Sequence, residues 1–281
     1  MYPELTYREV RPADRERVRE ISAGVWEGTD YLPSTFEEWV QDPGASFQAA
    51  EEDGLVVGLQ RLRPIATKLM FYEGLRVAAT HRRRGIARTM VRHAVEEARS
   101  LGFDRIRLYT GSVEAGELFR SEGFRLLFDC GVWTAGRVEG GDPPRLGSPA
   151  EAHSLAVQVA GDPALAVYGG TNASWHGVLD VDAALLERLA SEGLVRVGAG
   201  GRALALLRGD GRRRLPVTFL AGSGPALQDL LEELRFEADS VGLSAVAVLA
   251  PSTHPAAGDM REVGYDLAED EGHAYGYQLD L

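Results

Sequence analysis

One order of predicted strands and helices occurs twice along the chain, on either side of a segment rich in glycine and proline. That segment, residues 138–147, reads VEGGDPPRLG, a composition typical of a connector and not of a packed element. The 281 residues therefore divide into two parts of ordinary domain size, residues 1–137 and residues 148–281. The repetition predicts two copies of one fold.

In the first part, hydrophobic periodicity predicts the order βααβββαβαβ. The predicted strands are Thr6–Val10, Phe47–Ala50, Leu55–Arg63, Leu69–Val77, Arg105–Thr110 and Phe124–Phe128. The predicted helices are Ala13–Ala23, a short helix that begins at the capping box of Ser34 and Glu37, Ile86–Leu101 and Val113–Glu122. This order is typical of an α/β fold in which a mixed, mostly antiparallel sheet is flanked by helices.

The second part follows the same order. Helices are predicted after Ser148, where Pro149 and Glu151 complete a capping pattern, and after the cap residue Asp182. The remaining predicted elements are strands Leu194–Val197, Arg202–Arg208 and Arg214–Ala221, helix Pro225–Val241, strand Ser244–Ala250, helix Ala256–Val263 and strand Ala274–Leu281.

Charge and composition exclude several classes of protein. With 42 acidic and 30 basic side chains the net charge is -12, so the chain as a whole would repel a phosphate backbone. No apolar run approaches the roughly 20 residues of a membrane helix, and the N-terminus has neither a basic leader nor an apolar core. We therefore expect a cytoplasmic protein that binds neither nucleic acid nor membrane.

Cysteine and histidine usage argues against a metal site. The single cysteine, Cys130, excludes an internal disulfide and any site with several cysteines, and its apolar surroundings favour a small buried side chain. Five histidines lack metal-ligand spacing with cysteine or acidic residues. They are His93, His153, His176, His254 and His273. We expect no metal.

The strongest chemical signal is the junction of residues 75–90, LRVAATHRRRGIARTM, where a strand passes through a basic turn into the long helix. Arginines surround Gly85, which has no side chain to keep a ligand from the backbone. The free N–H groups of the helix start, together with arginines, form an anion site suited to a pyrophosphate. The alternative is a basic turn that is simply solvated.

At these residues the chain resembles the GNAT acetyltransferase superfamily, whose acetyl-coenzyme-A signature is Q/R-x-x-G-x-G/A. Here the signature reads Arg82-Arg83-Arg84-Gly85-Ile86-Ala87, and residues 114–124 resemble the family's fourth-helix pattern. Three segments are similar to the histidine N-acetyltransferase group. They are Gly24–Pro33, Trp39–Pro43 and Glu73–Val77.

The resemblance implies that acetyl-CoA is the cosubstrate. Leu75, Arg76 and Val77 would leave the neighbouring strand and pair with the pantetheine arm, and the pyrophosphate would lie on the basic turn. The residues implied at the pyrophosphate are Arg82, Arg83, Arg84, Gly85, Ile86, Ala87, Arg88 and Thr89. The Val77 N–H would stabilise the negative charge that develops on the acetyl carbonyl oxygen.

An amine must lose a proton before it attacks a thioester, because an α-amino group has a pKa near ~8. Glu73 is the carboxylate of the run LMFYEGLRV, and strand alternation predicts that it shares a face with Leu75 and Val77. We expect Glu73 to act as the base, directly or through water. The alternative is a half-exposed glutamate with no catalytic role.

The chain departs from the family at the proton donor for the leaving thiolate. Phe119 stands where many members have a tyrosine, and Ser112 stands where they have an asparagine. A thiolate with a pKa near ~8.5 can leave without an acid, so the departure weakens the tyrosine mechanism and not the activity. Tyr72 and Tyr109 are either substitute donors or packed strand aromatics.

The loop between the first two helices covers the substrate in the resembled family. Trp26, Asp30 and Tyr31 lie there, and two aromatic rings with one acid suit a cationic or imidazole-bearing amino acid. Trp26 and Tyr31 equally fit a purely structural role in which they anchor the loop.

The corresponding turn of the second part, Phe219–Gln228, has glycines but no arginine, and Pro225 removes an N–H from the helix start. We interpret the second part as a degenerate copy of the first, and we expect it to form one wall of the cleft that binds the acceptor.

Together these features predict an N-acetyltransferase that acetylates the primary amine of a small molecule, an amino acid of the histidine type, by direct transfer. Two alternatives remain open: acetylation of a peptide or protein amine, and a non-catalytic acyl-CoA sensor.

Overall fold

The computed structural model describes residues 4–209, 211–269 and 271–281 of the chain. These residues form two compact units. The first contains the described residues up to Leu108, residues 114–125 and residues 278–281. The second contains residues 109–113 and the described residues of 126–277.

The chain before residue 125 is built on a mixed sheet. Its strands are β1 (Thr6–Glu9), β2 (Ser46–Glu52), β3 (Leu55–Ala66), β4 (Leu69–Val77) and β5 (Arg105–Thr110). The strands lie in the order β1-β2-β3-β4-β5, antiparallel up to β4, and β4 and β5 pair in parallel over Leu69–Tyr72. The predicted mixed, mostly antiparallel sheet is confirmed.

Four helices belong to this part of the chain, α1 (Arg15–Ser22), α2 (Leu32–Gln41), α3 (Ile86–Ser100) and α4 (Val113–Ser121). Buried side chains of α1 and α2 join those of β2 and β3 in one apolar cluster, whereas Ile86 and Met90 of α3 belong to another. Gly58 permits the close approach of α3, because a Cβ atom there would lie 2.5 Å from the Met90 sulfur.

Two local predictions are wrong. Helix α2 begins at Leu32 and not at the predicted capping box, because Ser34 lies inside its first turn and donates its hydroxyl to the Tyr31 carbonyl oxygen. Strand β3 runs through Pro64 to Ala66, and the proline is accommodated by an irregularity in its pairing with β4.

The chain from residue 125 onward repeats this plan. Its strands are β6 (Arg125–Gly136), β7 (Arg145–Leu146), β8 (Val195–Val197), β9 (Leu204–Leu207), β10 (Arg214–Ala221), β11 (Ala245–Ala250), β12 (Asp266–Leu267) and β13 (Ala274–Asp280). Its helices are α5 (Ala152–Ala160), α6 (Pro163–Val167), α7 (Ala183–Ser191), α8 (Pro225–Ser240) and α9 (Ala257–Glu262). The order β7-β8-β9-β10-β11 has the same strand directions as β1 to β5, as the repetition predicted.

Helix capping in this half agrees with the sequence. Glu151 accepts a hydrogen bond from the Ser148 N–H at 3.0 Å, and Asp182 accepts one from the Leu185 N–H at 2.9 Å. Helix α6 was not predicted. Strand β7 lies within the segment predicted as a linker and pairs with β8, so part of residues 138–147 is a sheet edge and not an unpacked connector.

Each unit includes a segment from the other half of the sequence. Strand β6 pairs antiparallel with β11 in the second unit. In the first unit, Arg107 donates to the Gln278 side chain at 2.7 Å and the Leu281 N–H donates to the Asp104 carbonyl oxygen at 2.9 Å. The compact units therefore do not simply follow chain order.

In the part of the chain that the structure describes, the helices are all too short or too polar to cross a bilayer.

Candidate active site

Strand β4 contains a bulge at its midpoint. Glu73 lies opposite Arg61 and Arg76 lies opposite Leu59, so three steps on β4 match two on β3. Gly74 occupies the bulge with φ +70°, and a Cβ atom there would lie 2.8 Å from the Trp39 ring. Both the backbone angle and the space require glycine at this position.

The bulge changes which side chains share a face. Residues opposite one another in antiparallel strands project to the same side, so Glu73 shares a face with Arg76. Val77 lies opposite Gly58 and projects to the other face, where it contacts the apolar cluster of Ile86 and Met90. The predicted alternation, which put Glu73 on the face of Leu75 and Val77, is wrong because one extra residue interrupts it.

The Glu73 side chain is held by two arginines of β3. Its Oε1 accepts hydrogen bonds from Arg61 Nη1 at 2.7 Å and from Arg63 Nε at 3.1 Å. Arg61 also pairs with Asp42, and its guanidinium lies 4.5 Å above the Trp39 ring. The glutamate is 13% exposed, so it is neither the half-exposed residue of the alternative interpretation nor fully enclosed.

The backbone of Val77 points away from β3. The Ala78 N–H donates to the Val57 carbonyl oxygen at 2.9 Å, and successive residues of an antiparallel strand direct their N–H groups to opposite sides. The Val77 carbonyl oxygen accepts instead from Arg82 Nε at 3.2 Å. Strand β5 pairs in parallel with β4 over Leu69–Tyr72. The Val77 N–H therefore points to the β5 side of β4, at a position beyond the end of that pairing.

The basic turn leads into α3 through two residues of left-handed conformation. Arg83 has φ +63° and Gly85, which precedes the first residue of α3, has φ +84°. The first N–H groups of a helix have no partner within it. The positive φ of Gly85 lets the chain enter the helix with these donors directed outward, an arrangement that fits a phosphate.

Acidic side chains neutralise part of the basic turn. Glu52 pairs with Arg84 at 2.8 Å and lies 3.8 Å from His81. Glu122 of the α4 end pairs with Arg88 and Arg92, each at 2.7 Å. A phosphate here would therefore depend mainly on backbone N–H groups and on Arg82 and Arg83.

The tyrosines considered as proton donors are buried. Burial raises the pKa of Tyr72 well above its usual value, and its hydroxyl donates to Gln60 at 3.0 Å. The Tyr72 ring meets the Phe119 ring edge-on, with centroids 6.0 Å apart. Burial also raises the pKa of Tyr109 to about 12. These facts favour packed aromatics.

The loop residues Trp26, Asp30 and Tyr31 form one cluster with Arg76. Asp30 accepts two hydrogen bonds from the Arg76 guanidinium, at 2.8 Å each. The guanidinium lies 4.7 Å from the Trp26 ring centroid and 5.3 Å from that of Tyr31. Both Asp30 oxygens are thus engaged with the chain itself, whereas Trp26 is 51% exposed and available to a ligand.

In the second unit, carboxylates of the chain occupy the turn that corresponds to the basic turn. Asp162 accepts a hydrogen bond from the Gly222 N–H at 2.8 Å, and Asp259 accepts one from the Gly224 N–H at 3.1 Å. These two backbone donors of the turn are therefore already occupied. Among the described residues, no group of three histidine, cysteine or acidic side chains could hold a metal ion in either unit.

Sequence reasoning missed Arg61, Asp42 and the partners Glu52 and Glu122. An arginine within the apolar strand β3 was a usable signal, because a buried arginine requires acidic partners. Which acids those are depends on pairing between distant strands, and periodicity does not reveal it.

Comparison with known proteins finds similarity over much of the first part of the chain. Residues 13–124 match the family model described as "Acetyltransferase (GNAT) family". The histidine N-acetyltransferase of Xenopus tropicalis is 34% identical over 82 residues, and the match covers 29% of this chain and 25% of that protein. The uncharacterized N-acetyltransferase YsnE of Bacillus subtilis is 32% identical over 92 residues, which cover 31% of this chain and 61% of that protein. The matched regions are thus only part of each relative.

The fold is shared along the whole chain. A GCN5-related N-acetyltransferase from Sphaerobacter thermophilus superposes with a TM-score of 0.58, covering 100% of this chain and 97% of its own at 13% identity. The predicted tandem arrangement of two copies of one fold agrees with this similarity. Residues 13–124, which match the GNAT acetyltransferase family, include strand β4, the basic turn and the start of helix α3 described above.

Proposed function

We propose that the chain transfers an acetyl group from acetyl-CoA to the primary amine of a small molecule, an amino acid of the histidine type. One observation carries the proposal. Strand β4 presents a carboxylate at Glu73, a bulge at Gly74, an outward N–H at Val77 and, eight residues later, the helix start at Gly85. This order along the chain suits a base, followed by a site for the acyl group and then a site for the phosphates.

The basic turn would hold the pyrophosphate through the N–H groups at the start of α3 and through Arg82 and Arg83. Arg88 and Thr89 line the first turns of the helix, where Thr89 Oγ1 donates to the Gly85 carbonyl oxygen at 3.3 Å. Leu75, Arg76 and Val77 would pair with the pantetheine arm through their backbone. When bound, the cosubstrate supplies the acetyl thioester.

The amine acceptor must be neutral when it attacks, since an ammonium has no lone pair, and an α-amino group with a pKa near ~8 is mostly protonated at neutral pH. Glu73 would remove its proton, directly or through one water. The Val77 N–H would stabilise the charge that develops on the carbonyl oxygen, as preorganised donors do in acyl transfer. The nitrogen–carbon bond forms as the carbon–sulfur bond breaks, and the sulfur leaves as a thiolate.

Phe119 cannot donate a proton to that thiolate. The buried hydroxyl of Tyr72 is already committed to Gln60, and burial makes it reluctant to ionise. We infer that solvent protonates the thiolate, which a pKa near ~8.5 allows at neutral pH.

The proposed binding of the amine acceptor depends on the exposed Trp26 ring and on Tyr31, which lie beside the strand that carries Glu73. An imidazole or an aliphatic amine can pack on such rings. The names of the histidine N-acetyltransferase relatives support an amino acid acceptor. Because Asp30 is paired with Arg76, its contribution to the acceptor site would be to hold the loop.

Release of free thiol from acetyl-CoA in the presence of single amines tests the proposal. The panel contains histidine and other amino acids, polyamines and short peptides, and Glu73→Gln serves as the matched variant of low turnover. We expect release only with an amine, with amino acids preferred. Preference for peptides would identify a peptide acetyltransferase. Tight coenzyme A binding without release for any amine would identify a non-catalytic sensor, the alternative that Phe119 suggests.

A further inference from the structure

We propose that Arg61 is a positioning residue, which holds the Glu73 carboxylate in the orientation that proton removal requires. The inference rests on the proposed function, because it concerns the base of that reaction. It adds a residue that is outside the family signature and that acts only through another side chain.

Arg61 is among the most buried charged residues of the first unit, with 4% of its surface exposed. Its Nη1 donates to Glu73 Oε1 at 2.7 Å, and its Nη2 donates to Asp42 at the end of α2. A guanidinium binds carboxylates through a planar fork of N–H groups, so two fixed partners determine its orientation. One buried cation thus joins the α2 end to the proposed base.

The Arg61 guanidinium is also linked to the bulge at Gly74, through the Trp39 ring. It lies 4.5 Å above the Trp39 ring, and the edge of that ring approaches Gly74 so closely that a Cβ atom there would be 2.8 Å from it. Gly74 directly follows Glu73 in the chain. Arg61 and Trp39 therefore constrain the side chain of the base and the backbone beside it together.

The contacts leave one oxygen of the carboxylate for chemistry. Both Arg61 and Arg63 donate to Oε1. Among the described residues, Oε2 of Glu73 receives no hydrogen bond. A base held by one oxygen and open at the other has a defined direction toward its proton, and a misplacement of about 1 Å can cost 10²-fold in rate.

A kinetic double-mutant cycle tests this role. Arg61→Gln is made in the wild-type chain and in the Glu73→Gln chain, and product is followed by mass spectrometry over hours so that slow turnover is measurable. In the wild-type chain we expect kcat to fall about 10- to 10²-fold, with KM and coenzyme A affinity nearly unchanged. In the Glu73→Gln chain we expect no further fall, because the residue that Arg61 positions is already disabled.

Arg8 provides a matched control. It also joins two carboxylates, Asp14 and Glu51, but it lies on β1 and does not contact Glu73. Arg8→Gln should lower stability without lowering kcat. Arg61→Lys should restore part of the rate, since a lysine keeps the charge but not the fork.

Asp42→Asn is the second variant, to be used if Arg61→Gln does not fold. It keeps the arginine but weakens its second anchor, and we expect a smaller fall in kcat that again disappears in the Glu73→Gln chain. Equal losses in both chains, or an equal loss in Arg8→Gln, would overturn the positioning role and leave the proposed function intact. Absence of turnover in the wild-type chain with every amine would overturn the function itself.

Discussion

The Asp30 carboxylate and the Arg76 guanidinium form a bidentate ion pair, in which Nε and Nη2 each donate at 2.8 Å. Asp30 lies in the loop before α2 and Arg76 lies on β4, three residues after Glu73. The Asp30 side chain is 1% exposed and that of Arg76 is 11% exposed. The pair therefore fastens the loop before α2 to the strand that carries the proposed base.

Asp30→Asn should lower the free energy of unfolding by about 3 to 5 kcal/mol, because it leaves the Arg76 charge buried without its partner. Urea denaturation measures this change. Asp104→Asn is the control, since Asp104 is exposed and lies 4.0 Å from Lys68, and we expect a change within about 0.5 kcal/mol. A stable Asp30→Asn protein with an unchanged KM for the amine would show that the pair does not hold the loop.

Glu73→Gln should lower turnover by roughly 10²- to 10⁴-fold with little change in coenzyme A affinity. The amide keeps the size of the side chain but cannot take a proton. Steady-state kinetics across pH provides the measurement, and the acidic limb of the rate profile should move. Glu51→Gln, which loses only the pair with Arg8, should retain full turnover. Wild-type turnover and pH dependence in Glu73→Gln would transfer the role to water or to another group.

Gly85→Val should abolish measurable binding of coenzyme A. A side chain at this helix start would obstruct the phosphate, and φ +84° strains any residue other than glycine. Titration calorimetry measures the affinity. Gly102→Val is the matched control, because Gly102 has φ +77° beyond the other end of α3 and so carries the same strain away from the basic turn. Equal affinity in both variants would contradict the phosphate assignment.

The intact protein should bind one coenzyme A per chain. The second copy has no arginine at its turn, and Asp162 and Asp259 already accept the N–H groups of Gly222 and Gly224. A phosphate would have to displace two carboxylates from these donors. Calorimetric stoichiometry tests this expectation. Two sites of comparable affinity, or one site that persists in Gly85→Val, would identify the second unit as an active copy.

Stability should fall on mild acidification because of His254. Its Nδ1 accepts from the Ala256 N–H at 3.2 Å, so the proton of the neutral ring lies on Nε2, which donates to the Leu220 carbonyl oxygen at 3.1 Å. Burial lowers the pKa of His254 below the value of about 6.5 expected in the unfolded chain. The unfolded chain then binds more protons, so stability is complete above pH ~6.5 and is lost as the pH falls below it.

Urea midpoints at pH 7.5 and pH 5.5 measure this loss. In His254→Gln the difference between the two midpoints should become smaller, because the amide can donate and accept without titrating. His153→Gln, at an exposed position, should leave the difference unchanged. An unchanged difference in His254→Gln would assign the acid sensitivity to other groups.

Local sequence determined the elements of the site. Strand β4 spans Leu69–Val77, helix α3 begins at Ile86 and the turn between them has its glycine at 85, all as periodicity and composition predicted. The repeated order of the second part was equally readable, down to the cap at Asp182. These features depend on residues within a few positions of one another, where side-chain period and capping chemistry act directly.

Tertiary structure decided how those elements are used. The bulge at Gly74 packs against Trp39 and interrupts the pairing of β4 with β3, and it puts Glu73 on the face of Arg76. The partners of Arg76 and Arg61 come from positions 30 and 42, and the carboxylates at the second turn come from positions 162 and 259. Which acid meets which base depends on strands and loops brought together by folding. A charge pattern along the chain names the candidates for such pairs but not the pairs themselves.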